Sequence, residues 1–206
     1  MSRIMTKFFF FSLMLVFIFL SGGCAQSYYA LNPSNIAFNA SNNLEYINLN
    51  YRYDILEEKG NTKLAKKARK RNIKLVAIQI TNNTDKVINI GDNVAFYSGN
   101  TMMYPMDAVS VKNNLKQSVA GYLFYMLLTP LNISFNGAEP VPVGLLIGPA
   151  ITGSNMIVAG SANKNLYKEL LQYDILSRDI RPHETVFGLV GFRNMDYVPL
   201  TLKFIK

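Results

Sequence analysis

One cysteine and one histidine stand among 206 residues, and these two scarcities exclude most of the common site chemistries. A lone cysteine cannot close an intrachain disulfide. The lone histidine, His183, offers a single imidazole base, in a turn after Pro182. Asp179 and Glu184 are near it in sequence but define no triad. The chain has no Gly-x-Ser-x-Gly elbow, no His-Glu-x-x-His pair and no glycine loop running into lysine. Its carboxylates are scattered singly apart from Glu57 and Glu58. The sequence therefore predicts no catalytic residue, no metal and no cofactor. Charge is also scarce in one long region: residues 117–163 carry only Glu139, and 140–160 carry none.

What is present begins at the N-terminus. Arg3 and Lys7 precede an apolar run over 8–20 broken only by Ser12, and Ser21-Gly22-Gly23 leads into Cys24. This layout resembles a bacterial lipoprotein signal peptide with its lipobox. Ser21 stands where such boxes usually carry Leu, Ile or Val. The resemblance implies cleavage before Cys24 and a diacylglycerol thioether on its sulfur, with palmitate-type acyl chains. No thiol is then left for a metal or a nucleophile. A retained anchor and ordinary secretion are the alternatives, although a 13-residue apolar core is short against about 30 Å of hydrocarbon. The mature chain, 24–206, is ample for one domain. Ala25 replaces the aspartate that holds enterobacterial lipoproteins at the inner membrane. That resemblance implies the periplasmic face of the outer membrane.

The net charge of +8 is local rather than general. Residues 56–74 hold eight basic side chains and two acids, and the remainder of the mature chain is neutral. Asn61 or Thr62 is placed to cap a short helix ending near Asn72. Lys66, Lys67, Arg69, Lys70 and Arg71 would fan around its exposed surface. A solvated helix, contact with anionic lipid headgroups and contact with an acidic partner all fit this pattern. Without a recognised binding module, nucleic acid is not expected as a partner.

Period-two alternation predicts a strand over 44–56, where Ile47, Leu49, Tyr51, Tyr53 and Ile55 share a face. A second strand over 73–81 has Val76, Ile78 and Ile80 on one face and Leu75 and Ala77 on the other, as a central strand requires. Shorter strands are expected over 87–90, 94–97, 185–192 and 200–205, with turn residues between them. The segment Lys74-Leu-Val-Ala-Ile-Gln-Ile-Thr-Asn-Asn-Thr-Asp-Lys-Val-Ile-Asn-Ile90 resembles the strand, Asn-rich turn and strand of Ig-like domains in bacterial envelope proteins. Ile180-Arg-Pro-His-Glu-Thr-Val-Phe-Gly-Leu-Val190 resembles a later turn and strand, with His183 in place of the usual glycine. A positive φ at His183 follows if the turn is kept. The whole resembles envelope lipoproteins of Bacteroides relatives, a group that implies no activity. The expected fold class is mainly β: an Ig-like β-sandwich over 44–206 with an apolar, helical insertion at about 113–172. Residues 1–23 would be the signal peptide and 24–43 a tether.

The apolar middle admits three arrangements. It could be a helical pair packed on the sheet, a hairpin entering the membrane, or a groove for lipid or a partner. Pro130 should stop a first helix. Gly144 and Gly148, four apart, would let another backbone approach closely. Asn163 is placed to cap a helix carrying Leu166, Leu170 and Leu171 inward, with Lys164, Lys168 and Glu169 outward. The expected function is that of a non-catalytic envelope lipoprotein, a structural or interaction module held at the membrane by Cys24. Its contacts with envelope protein or anionic lipid fall on the five basic residues above and on Leu145, Leu146, Ile147, Ile151 and Ile157. The alternative is a carrier or chaperone holding a lipid or hydrophobic peptide in the apolar middle.

Overall fold

The computed structural model describes residues 24–134, 139–193 and 196–205. The signal peptide expected over 1–23 lies outside the described residues. The chain divides into two compact units. One, here the sheet unit, comprises Tyr28–Gln117 and Ser161–Lys206. The other, the apolar unit, is described over 24–27 and Ser118–Gly160.

The sheet unit is built on a five-stranded antiparallel sheet, in the order β1 (Ala40–Asn43), β2 (Ile47–Arg52), β3 (Ile73–Asn82), β9 (Thr185–Arg193), β7 (Pro105–Met106). Strand β3 lies at its centre and is largely buried on both faces, as its two apolar sets require. Ile47, Leu49, Ile78, Ile80, Val190 and Phe192 belong to one core cluster. It also takes Val94 and Phe96 of β5 (Val94–Ser98) and Leu200 and Leu202 of β10 (Leu200–Phe204). These two strands and β6 (Thr101–Met103) make a second antiparallel sheet. Phe96 and Phe192 meet edge to face at 5.3 Å between centroids. A small pair, β4 (Ile88–Asn89) with β8 (Asp179–Ile180), adds Ile88 and Ile180.

The second core cluster gathers Ile73, Leu75, Ala77 and Leu189 of the large sheet with helices. Helix α1 (Ile55–Glu58) contributes Ile55 and Leu56, and α2 (Thr62–Lys70) contributes Leu64, Ala65 and Ala68. Helix α3 (Ala108–Leu115) adds Val111 and Leu115, and the end of α4 (Gly144–Gln172) adds Leu166 and Leu170. Among the described residues the fold is thus three antiparallel sheets with four α-helices, a mixed α and β arrangement rather than a mainly β one.

Several local expectations are revised by identifiable interactions. The strand expected over 44–56 stops at Arg52, because Asp54 turns the chain at φ 56° and Ile55 and Leu56 enter a helix. Asn61 occupies the N-cap position of α2, as expected, but its side chain makes no capping hydrogen bond. Its amide is held across the unit instead, accepting from Tyr29 N at 3.0 Å and donating to Tyr29 O at 2.8 Å. Asn163 lies inside α4 and pairs with the backbone of Gln117, at 2.6 and 2.9 Å. Glu169, placed outward by the sequence pattern, is buried. It accepts from the Tyr28 hydroxyl, Leu31 N at 3.0 Å and Asn32 N at 2.6 Å. Burial, then the adjacent Glu169 carboxylate, pushes the Tyr28 hydroxyl far above its ordinary range, so it stays a proton donor. Residues 24–43, expected as a tether, therefore include a docked strap with Leu31 fully buried, followed by edge strand β1.

His183 does adopt a positive φ, 58°, in the turn before β9. Gly188, which interrupts the apolar run of β9, marks a close approach. A Cβ there would lie 2.6 Å from Ile175 Cγ2.

Candidate membrane-contact site

The apolar unit combines a 3-10 helix, Ala120–Leu128, with the first part of α4. The helix expected before Pro130 thus forms with the tighter 3-10 winding. Tyr122 and Tyr125, three residues apart and so eclipsed by that winding, stack at 6.4 Å between centroids. Behind them lies buried Ala159, with Ile151, Met156 and Leu128 partly buried against the cluster.

Within this unit α4 is laid out in the reverse of a soluble amphipathic helix. Its buried positions are Gly144, Gly148, Thr152, Asn155 and Ala159, spaced three or four apart and all small or polar. The large apolar side chains fall outside that stripe: Leu145, Leu146 and Ile147 are exposed, as is Ile157. Gly144 is where the 3-10 segment presses closest. A Cβ there would sit 2.2 Å from Leu128 O and 2.5 Å from Thr129 O. Asn155 meets its polar needs locally. Its Nδ2 donates to Ile151 O at 2.8 Å and its Oδ1 accepts from Ala25 N. The residue after Cys24 is thereby pinned to α4, and Cys24 is exposed beside it in sequence.

The 3-10 segment repeats this pattern, with Tyr122 and Tyr125 inward and Leu123, Phe124, Met126 and Leu127 exposed. Phe124 and Leu127 are 72% and 73% exposed, and Leu146 reaches 78%. α4 is long and apolar enough to cross a bilayer by length and composition. Only 28% of its apolar stretch is buried, whereas a soluble core helix would be mostly covered. Of the five apolar residues expected to make contact, Leu145, Leu146, Ile147 and Ile157 are exposed and Ile151 is half-buried. Sequence reasoning missed Leu123, Phe124 and Leu127, whose inward partners are the two tyrosines.

The five basic residues do not act alike in the sheet unit. Arg69 is paired with Glu57. Lys66, Lys70 and Arg71 are exposed, and Lys67 is half-buried. His183 Nε2 lies 3.3 Å from Asp85 Oδ1 on the surface. Among the described residues no three of His, Cys, Asp and Glu cluster to hold a metal ion. A cavity of about 380 Å3 opens between Asn39, Arg52, Tyr53, Asp54, Glu57, Glu58 and Tyr197. Its polar groups bind one another: Arg52 pairs with Glu58 at 2.6 Å, and the Tyr197 hydroxyl donates to Asp54 Oδ1 at 2.7 Å. Comparison with family models, with curated proteins and with solved structures finds no match for this chain.

Proposed function

We propose that this protein is a non-catalytic envelope lipoprotein, a structural or interaction module fixed to its membrane by acyl chains on Cys24 and by the apolar unit together. The observation that carries this reading is the inverted first part of α4, where within the apolar unit small and polar residues pack inward while Leu145, Leu146, Ile147 and Ile157 face out. In water that arrangement leaves apolar area uncompensated. In hydrocarbon it is the ordinary arrangement, because close packing of small residues, not apolar burial, holds helices together there. Among the described residues of the unit, nine large apolar side chains are exposed, from Leu123 to Ile157. Each transfer into lipid contributes on the order of 1 kcal/mol for a half-exposed side chain. The segment from Gly144 to Gly160 is about 25 Å long, near the thickness of the hydrocarbon layer.

The sheet unit would then be the interaction module, at the periplasmic face of the outer membrane. Its Ig-like character belongs to the same proposal. The shared apolar core of the five-stranded and three-stranded antiparallel sheets supports it, and the helices on the large sheet's other face depart from it. The carrier reading has less support, since large side chains of the apolar unit point outward rather than around an internal space.

A Cys24→Ser form exported by an ordinary cleavable signal tests the proposal. It is expected to remain with the membrane through high salt and alkaline carbonate. Folded protein released into the wash would overturn membrane entry by the apolar unit and favour an internal core or a groove.

A further inference from the structure

Four cations converge where α2, α3 and the end of β9 meet in the sheet unit. Lys67 donates its ammonium to Lys116 O, at the C-terminal end of α3. Arg71 Nη1 and Arg193 Nη2 both donate to one oxygen, Asn114 Oδ1, at 2.9 and 3.1 Å. Asn114 is turned to receive them because its Nδ2 is held by Ser110 O at 2.8 Å. No carboxylate lies within ion-pair distance of Arg71 or Arg193 among the described residues, whereas Arg52, Arg69 and Arg178 each have one. Burial, then the neighbouring charges of Arg71 and Lys116, lowers the Lys67 pKa below its ordinary value. Two helix C-termini supply carbonyls that moderate this repulsion, but they bring no full negative charge. A guanidinium carries five donors in a planar fork suited to phosphate oxygens. Here one from each arginine is directed at Asn114 Oδ1, a neutral oxygen.

We propose that Lys67, Arg71, Lys116 and Arg193 form a binding site for the phosphate of an anionic lipid headgroup. This rests on the membrane reading above. The lipid source is favoured by connectivity: Lys116 is two residues from Ser118, where the chain enters the apolar unit. Basic residues flanking a membrane-entering segment meet the negative surface potential of the bilayer, each contributing about 1 kcal/mol. Of the basic stretch picked out in the sequence, Lys67 and Arg71 belong to this site. Arg69, occupied by Glu57, does not, and Lys116 and Arg193 come from distant parts of the chain.

The test uses the Cys24→Ser protein exported by an ordinary cleavable signal, so that residues 24–206 remain, and vesicles of phosphatidylcholine with or without phosphatidylglycerol. The variant carries Lys67→Gln, Arg71→Gln, Lys116→Gln and Arg193→Gln. It is expected to lose ~100-fold or more in binding to the anionic vesicles, at about tenfold for roughly each 1.4 kcal/mol, and little on neutral ones. A control lacking Lys59, Lys86, Arg181 and Lys203 removes the same charge and is expected to lose much less. Should the first variant fold poorly, Arg71→Lys with Arg193→Lys keeps the charge and removes the forks. Several-fold weaker binding is then expected, which net charge alone does not produce. Equal losses in variant and control would overturn the site. So would equal binding to anionic and neutral vesicles by a Cys24→Ser protein that binds inorganic phosphate at these four residues, since the ligand would then be free phosphate. Loss of binding to neutral vesicles by the unmodified Cys24→Ser protein would instead contradict the membrane reading itself.

Discussion

Glu169→Ala is expected to detach residues 28–35 from the sheet unit and to lower stability by about 3 kcal/mol or more. The carboxylate is 8% exposed and is the acceptor for three donors on the strap. Removing it leaves two backbone N–H groups and one phenol to find new partners, and Leu31, fully buried, holds its own amide away from water. Each orphaned buried donor costs about 1–3 kcal/mol. Glu169→Gln keeps the volume and one acceptor oxygen, so a smaller loss is expected. Hydrogen exchange read by mass spectrometry on detergent-solubilised protein checks both. The amides of Leu31 and Asn32 should lose protection in Glu169→Ala while the β3 and β9 amides keep theirs. Unchanged protection across 28–35 would mean that the apolar contacts of Leu31 hold the strap without the carboxylate.

The strap matters because only three residues separate Cys24 from Tyr28. An extended chain advances at most ~3.6 Å per residue, so Cys24 stays within about 14 Å of the docked strap. With the strap released, the lipid anchor proposed at Cys24 would be tied to β1 by a longer stretch of free chain.

Gly144→Val is expected to disrupt the apolar unit while leaving the sheet unit folded. The three atoms nearest its Cβ would all be backbone, with Leu131 N at 2.7 Å after the two carbonyl oxygens. No side-chain rotation relieves an overlap with backbone, so the 3-10 segment must move off α4. Overpacking of this kind costs about 1–3 kcal/mol, and more where backbone is displaced. Gly153 is the internal control. A Cβ there meets nothing within 4 Å, so Gly153→Ala should raise stability by roughly 1 kcal/mol through helix propensity. Limited proteolysis in detergent micelles distinguishes the two. Gly144→Val should be cut within 118–160 and Gly153→Ala protected at least as well as the parent protein. Equal protection of both variants would show that the close approach at Gly144 is not needed.

How far the sequence could be read depended on whether the signal was periodic or positional. Alternation marked β2, β3 and β10, and the two apolar sets of β3 anticipated a strand covered on both sides. The same alternation misled at Ile55, because a helix starting there also turns its first residue inward. Helix α3 was passed over although Asp107 and Ser110 carry a local capping signal. Asp107 Oδ1 accepts from Ser110 N at 2.8 Å, and hydrogen bonds to Ser110 hold its carboxyl below the usual range. Glu169 defeated pattern reading because a glutamate on a helix is normally solvated. Its partners are 137 or more residues away, and nothing local announces them.

In the apolar middle, the four-residue spacing of Gly144 and Gly148 was legible, and its continuation through Thr152, Asn155 and Ala159 was available as a small-residue repeat. Which side of that stripe faced inward was not, since spacing alone does not distinguish a helix buried in protein from one surrounded by lipid. Convergence of Lys67, Arg71, Lys116 and Arg193 depended on strand order bringing the end of β9 beside α3. No single stretch of sequence contains it.

The most direct test of membrane entry places an environment-sensitive fluorophore on a single cysteine introduced at Leu146 or Ile157 in the Cys24→Ser background, which has no other thiol. In vesicles containing lipids with quenchers deep in their acyl chains, both positions should show blue-shifted emission and strong quenching. A label at Lys59 in the sheet unit should show neither. Water-like emission at Leu146 and Ile157, with no deep quenching, would contradict entry of the apolar unit into the bilayer.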